Sequence, residues 1–528
     1  MQNFTVSLLS WRKSDGLRFL VITLLVLGVF FRFVNIDRKI YWGDEVFTSL
    51  RVSGYTLAEM NQQLWNAGVV GIENLQKYQY PSPDKSAVDT IKGLALEESQ
   101  LPPLYFVMVR FWVQWFGNSV AVTRSFSAFI SLLTFPCLYW LCHELFESSR
   151  IGWIAVALVA ISPFHVLYAQ EARPYTLWIV AILLSSASLL RAMRVRTKAS
   201  WIIYTTTVTL GLYTHVLFGL VAIGHGIYVV VTERFRLSRT LVSYLLASLA
   251  GLLTFVPWLV VIINKPAKST ISWINTKSTL LSSSTRWAGI VSRAFLDVGV
   301  GPDDSLKRLI PLVPFILLLL ALITYSIYFL YRQSPKRVWL FVLPLIGVTG
   351  LALMLPDFVL GRRYGTTRFI TPCILGIQLS LAYLIATQTT SLSISNHRQK
   401  LWKFVAVVLI SFGVLSCAIS SQAEIWWSKK PDDNKDNQKI AYIINQTTQP
   451  LLIKDGNLIP IQTLGYMLDP KVRLLLVRES NIPKIPDGFS DVFLFQPSES
   501  LKSGLERVDG SEVKLINESL WKLESLSK

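Results

Sequence analysis

Charge is what this chain has little of: 16% of its 528 residues are charged, and acids are the rarer kind, 33 Asp and Glu against 51 Lys and Arg. With 52% hydrophobic residues and a mean hydropathy of +0.44, that shortage excludes a single water-soluble globule of this length. Cysteine is rarer still. Cys137, Cys142, Cys373 and Cys417 all lie inside apolar runs, which excludes a disulfide framework and a metal-ligand spacing and leaves them as helix-packing residues. A cleavable leader is lacking too, because the first apolar run, 17–33, is long enough to span a bilayer and no small-residue cleavage site follows it. The formal net charge of +18 does not indicate nucleic acid as a partner. Its cations cluster in short connections between apolar runs, where they set orientation across a membrane.

What the chain has in quantity is runs approaching the roughly 20 apolar residues of a spanning helix. They fall at 17–33, 120–141, 151–168, 177–190, 201–213, 217–231, 241–263, 309–331, 338–355, 369–386 and 401–419, which predicts an all-α polytopic membrane protein of about eleven transmembrane helices. The segment 101–116 is short, opens on Pro102-Pro103 and carries Arg110 in its middle. With that segment left out of the count, the clusters Arg191/Arg194/Arg196/Lys198, Arg234/Arg236/Arg239, Arg332/Lys336/Arg337 and Arg398/Lys400 all fall on the cytoplasmic side. It is therefore expected as a juxtamembrane helix in the first external loop. Arg12 and Lys13 then hold the N-terminus in the cytoplasm, and the C-terminus emerges outside.

This topology predicts a membrane domain over 1–420, with long external loops at 35–119 and 264–308, and an extracytoplasmic domain over 421–528. In the tail, 450–454, 472–477 and 492–495 read as short buried strands, separated by helical spacing around 458–468 and 499–507. A small α/β domain of roughly a hundred residues is the expectation. The tail carries no nucleotide-binding glycine pattern.

Three polar features stand on the external side. Asp44-Glu45 opens the first long loop. Asp44 reads equally as the N-cap of a short interfacial helix, with Glu45 in its first turn, and as a general base with Glu45 orienting it or contacting a metal. The connection before the run at 369–386 holds Arg362, Arg363 and Arg368, against the usual side for arginine. Snorkelling to headgroups accounts for some of these, while guanidinium forks also suit a phosphate clamp, Arg368 being the preferred candidate. The turn Gln170-Glu171-Ala172-Arg173-Pro174-Tyr175 is more polar than a reversal needs, although Glu171 and Arg173 also read as an ordinary surface ion pair.

Taken in order, Trp42-Gly43-Asp44-Glu45, Pro102-Pro103-Leu104-Tyr105, Ser162-Pro163-Phe164-His165 running into Gln170 to Tyr175, and Arg368-Phe369 with Pro372 resemble the bacterial family-39 glycosyltransferases. These are relatives of protein mannosyltransferases and of the lipid A aminoarabinose transferase. The resemblance runs from about residue 17 to 420. It implies the GT-C fold, a sugar donor carried on a polyprenyl phosphate, and an extracytoplasmic acceptor that is a protein, a glycolipid or a polysaccharide. By that resemblance Asp44 matches the catalytic aspartate and Glu45 its neighbour. Arg368 matches the donor-phosphate arginine, with Arg362, Arg363 and Arg173 beside it, and Gln170, Glu171, Tyr175 and Tyr105 line the cavity. Where many relatives have histidine or lysine before the Pro-Pro pair, this chain has Leu101, which removes a phosphate or metal contact. Glu97 and Glu98 lie close by as candidate oxygen ligands for a divalent cation, without a diagnostic spacing.

A lipid-linked sugar needs an acceptor deprotonated and a departing phosphate stabilised, so one base and a cationic clamp suffice. A single inverting displacement is expected, since the sequence shows one external base and no separated nucleophile and acid/base pair. Two other classes stay open at this stage: a lipid or sugar transporter or flippase, for which no internal repeat is evident, and a surface polysaccharide polymerase or ligase working through the loop at 264–308.

Overall fold

The computed structural model describes residues 2–265, 276–301, 304–390, 395–429, 434–479, 481–509 and 511–525; parts of the loop at 264–308 therefore lie outside the described residues. The chain forms two compact units, Met1–Ile36 with Glu98–Tyr105 and Arg124–Ala423, and Asp37–Glu97 with Phe106–Thr123 and Glu424–Lys528.

The first unit is built of long apolar helices, several opened by a Ser or Thr whose hydroxyl accepts a first-turn amide: Ser148 from Ile151, Thr197 from Ser200 and Ser238 from Leu241. Tyr175–Val195 and Thr371–Thr390 are enclosed on nearly all sides. Arg239–Asn264, Lys307–Gln333 and Asn396–Gln422 instead present rows of exposed Leu, Phe and Val, a surface that suits lipid rather than water.

All eleven expected runs are helical. Among the described residues seven helices are long and apolar enough to cross a membrane by length and composition, and an eighth is counted if Ser149–Ala160 and Pro163–Ala169, bent by 61°, form one broken span. Lys198–Thr214 and Phe218–Thr232 have 17 and 15 residues. At 1.5 Å per residue they reach about 26 and 23 Å, short of a hydrocarbon core of about 30 Å.

The broken span exposes carbonyls that water cannot reach, and nearby side chains satisfy them. The buried Arg32 guanidinium donates to Gly28 O and Ala160 O, both at 2.7 Å, and to Val159 O, while Cys417 Sγ reaches Ile161 O. The approach requires glycine at position 28, where a Cβ would sit 2.6 Å from Ala160 O.

The second unit contains a six-stranded sheet: β1 (Val69–Gly71), β2 (Pro450–Asp455), β3 (Arg473–Val477), β4 (Asp491–Phe495), β5 (Ser511–Asn517) and β6 (Leu520–Ser525), in the order β1-β3-β2-β4-β6-β5. Parallel pairing of β3, β2 and β4 sets Leu452 beside both Leu474 and Phe493. Helix Glu499–Asp509 lays Leu501 and Leu505 on Leu451, Ile453, Leu475 and Leu494 to close one core. The three apolar strands were readable because central parallel strands are buried on both faces. The antiparallel β5–β6 hairpin, half polar, was not read, and neither was β1, whose three residues become a strand only by pairing with β3.

The units divide the chain differently from the expected 1–420 and 421–528. The first external loop folds with the tail, because β1 joins the tail's sheet and helix Gly43–Ser53 packs on helix Ile459–Gly465. Arg110 helps to hold the loop. Buried in the 13-residue helix Leu104–Phe116, it donates to the carbonyls of Val52, Ser82 and Lys85. The same helix exposes Phe111, Trp115 and Phe116, side chains suited to a membrane–water interface.

Candidate active site

In the second unit, the chain enters helix Gly43–Ser53 through Trp42, whose extended backbone (φ −93°, ψ 172°) makes it the N-cap without a side-chain bond. The expectation that Asp44 caps this helix is thereby corrected. Asp44 is the second helical residue, half-buried, with its carboxylate favourably placed at the positive end of the helix dipole. Glu45, expected to share catalysis or contact a metal, is fully buried, and its Oε2 accepts from Lys429 Nζ at 3.1 Å.

Of the expected metal pair, Glu97 pairs with Arg51 at 2.7 Å and accepts the backbone amides of Leu57 and Ala58, so it caps helix Leu57–Trp65, and Glu98 is buried in the first unit. Among the described residues no three His, Cys, Asp or Glu side chains gather to hold a metal ion.

In the first unit the polar turn and the late arginine come together. Tyr168 lies within electrostatic reach of Glu171, Arg368, Tyr175 and Asp297, and the charges of Arg173 and Arg368 both act on His215. His215 stacks on Trp178 (4.2 Å, 11°), with Tyr175 and Phe369 at 6.3 and 5.9 Å, and the Arg368 guanidinium lies 5.4 Å over the Phe369 ring. Two of the expected cavity residues have structural duties. The Gln170 amide donates to Phe31 O and Val34 O, both at 2.9 Å, and the buried Tyr105 hydroxyl bonds Ser127 Oγ at 2.7 Å behind the turn.

The arginine-bearing loop is shaped by Asp357, at the end of helix Lys336–Val359. One carboxylate oxygen accepts from Arg286 and Trp287, each at 2.9 Å, and the other from the Tyr364 amide; the Gly365 amide reaches both. Glycine is required at 365, since a Cβ would lie 2.4 Å from the Trp287 ring. Arg362 is exposed and contributes its carbonyl, not its guanidinium, to this latch, whereas Arg363 and Arg368 are half-buried. Beside it a cavity of about 60 Å³ is lined by Arg286, Arg293, Asp297, Leu309, Leu312 and Ile316 among others.

Residues 100–261, about a third of the chain, match the family model of dolichyl-phosphate-mannose-protein mannosyltransferases. The crystal structure of ArnT from Cupriavidus metallidurans bound to undecaprenyl phosphate superposes with a TM-score of 0.53 at 14% identity, over 96% of this chain and 98% of that one. This chain has the GT-C fold, and its segment 100–261 resembles that mannosyltransferase family. The apo form of the same ArnT gives a TM-score of 0.51 at 13% identity, over 95% and 97% of the two chains. An Archaeoglobus fulgidus oligosaccharyltransferase tethered with an acceptor peptide gives 0.50 at 12% identity, over 88% of this chain and 64% of that one. At these identities the structures speak for fold alone. No curated protein sequence matches this chain.

The sequence reading missed His215, Asp297, Asp357 and Lys429. Only Asp357 carried a local signal, an acid between an apolar run and an arginine cluster. His215 is held neutral: burial, then Arg173 and Arg368, push its pKa from 6.5 down to about 3, and its Nδ1 accepts the Leu217 amide, which leaves the proton on Nε2. Because the folded value lies below the unfolded one, the stability this group contributes is intact above pH 6.5 and is lost as pH falls from there towards 3. The thermal midpoint in detergent should therefore drop between about pH 7 and pH 5, and His215→Phe, which keeps the Trp178 stack, should drop less; equal drops would count against this assignment.

Proposed function

We propose that this protein is a glycosyltransferase that takes its sugar from a polyprenyl phosphate and gives it to an extracytoplasmic hydroxyl or amine by a single inverting displacement. Asp44 removes the acceptor proton as the acceptor attacks the anomeric carbon. The bond from that carbon to the phosphate oxygen breaks, its electron pair stays on the phosphate, and Arg368 and Arg173 stabilise the charge that develops there. Arg363 and Arg362, on the loop held by Asp357, extend the cationic surface available to the donor. The topology that suits this chemistry keeps the N-terminus cytoplasmic and the C-terminal unit extracytoplasmic.

The observation that carries the reading is the convergence of two arginine charges on a neutral histidine, beside aromatic rings, in a chain poor in charge. Guanidinium pairs suit phosphate oxygens, and a neutral imidazole adds no competing anion. Undecaprenyl phosphate, the ligand bound in the ArnT structure, is of the class proposed here. A divalent cation belongs to the proposal only as an addition at the donor, since Glu97 is already engaged by Arg51 and two backbone amides.

The test is transfer of radiolabelled sugar from a panel of polyprenyl-phosphate donors by the purified protein. Arg368→Ala should lower kcat/KM by about 10²–10³-fold, as for loss of one charge-stabilising group, and Arg368→Lys should recover only part of it. Undiminished transfer by Arg368→Ala would remove the clamp. Transfer from nucleotide sugars alone would sink the donor class.

A further inference from the structure

We infer that Lys429 is a positioning residue for the base Asp44, an assignment that rests on the function proposed above and deepens it. Lys429 ends the short helical turn Trp427–Lys429 and arrives 384 residues after Glu45. Its Nζ bonds Glu45 Oε2 at 3.1 Å, with side-chain exposures of 1% and 0%, and lies 5.6 Å over the ring of Trp42. Trp42 and Glu45 flank Gly43-Asp44, so one buried cation grips both shoulders of the turn that carries the base. The chain around Lys429 is held in turn. Its carbonyl accepts from Asn434, which is bonded by Asn437, and upstream the Glu424 carbonyl accepts the amide of Ile40.

Stability alone does not account for this pair. Enclosing two charges costs desolvation that their attraction only about returns, and an apolar pair of the same volume generally holds a core as well. What a charge pair adds is direction. A carboxylate fixed by a cation gives the first turn one orientation, and a base displaced by about 1 Å loses roughly 10²-fold in rate. The tail thus acts in the chemical step by completing the fold of the base turn, in addition to any part it has in acceptor recognition.

The experiment compares sugar transfer and thermal midpoint for the full-length wild type, Asp44→Asn, Lys429→Met, Lys429→Arg and the double variant Glu45→Gln/Lys429→Met. Lys429→Met should lower kcat about 10²-fold with KM for the lipid donor nearly unchanged, and Lys429→Arg should restore most of the rate. The double variant removes both charges of this pair together, so it should fold even where Lys429→Met does not; it should keep a midpoint near the wild-type value and still lack the rate. Wild-type kcat in the double variant would overturn the inference while leaving Asp44 as base. Wild-type kcat in Asp44→Asn would overturn both.

Discussion

Asp44→Asn should lower kcat for sugar transfer by about 10²–10⁴-fold, the range of a positioned general base, with donor binding and thermal midpoint close to wild type. The structural cost is small because Asp44 is not the cap of its helix; Trp42 is, through its backbone. The bond from Thr48 Oγ1 to Asp44 goes to the main-chain carbonyl at 3.2 Å and survives the substitution. Asparagine forfeits the interaction of the carboxylate with the helix dipole, worth about 0.3–1 kcal/mol. A large loss of rate with a small loss of stability is therefore the signature of a base. The rise of kcat/KM with pH that reports this carboxylate should disappear as well. Retained transfer would reduce Asp44 to a dipole-stabilising residue and remove the proposed mechanism.

The largest stability effect is expected at Asp357. Asp357→Ala deletes the acceptor of two side chains and two backbone amides and leaves the Arg286 guanidinium, only 9% exposed, without its carboxylate. Breaking a buried ion pair by removing one partner costs about 3–5 kcal/mol. The loop from Leu360 to Ile370 should lose its shape, and transfer should fall with it because Arg368 stands on that loop. Asp357→Leu combined with Arg286→Met removes both charges and should regain much of the thermal midpoint, yet not the activity, since Tyr364 and Gly365 still lack their acceptor. Thermal unfolding in detergent with a parallel transfer assay separates the two effects. An Asp357→Ala protein as stable as wild type would show that the latch is ornamental.

Local residue chemistry made some of this site legible. Asp44 was visible because acids are scarce, and Arg368 because arginine stands there on the uncommon side of the expected topology. The spans were visible because membrane helices must satisfy their backbone internally, which forces long apolar runs. The cap at Trp42 was not visible, because its backbone and not a side-chain oxygen turns the chain. The partner of Glu45 was not visible either, because the lysine that pairs with its carboxylate stands 384 residues away.

By itself, then, the order of residues determined a membrane protein of apolar helices, a tail with parallel strands, and the identities of an external acid and external arginines, because each of these depends on hydrophobicity and charge within a short window. Tertiary structure alone decided that the first loop and the tail share a sheet, that His215 and the polar turn lie around Arg368, that Asp357 shapes the arginine loop, and that Lys429 grips the turn of Asp44. Those are pairings across long stretches of chain, and their energies come from burial and hydrogen bonding that exist only once the partners have met.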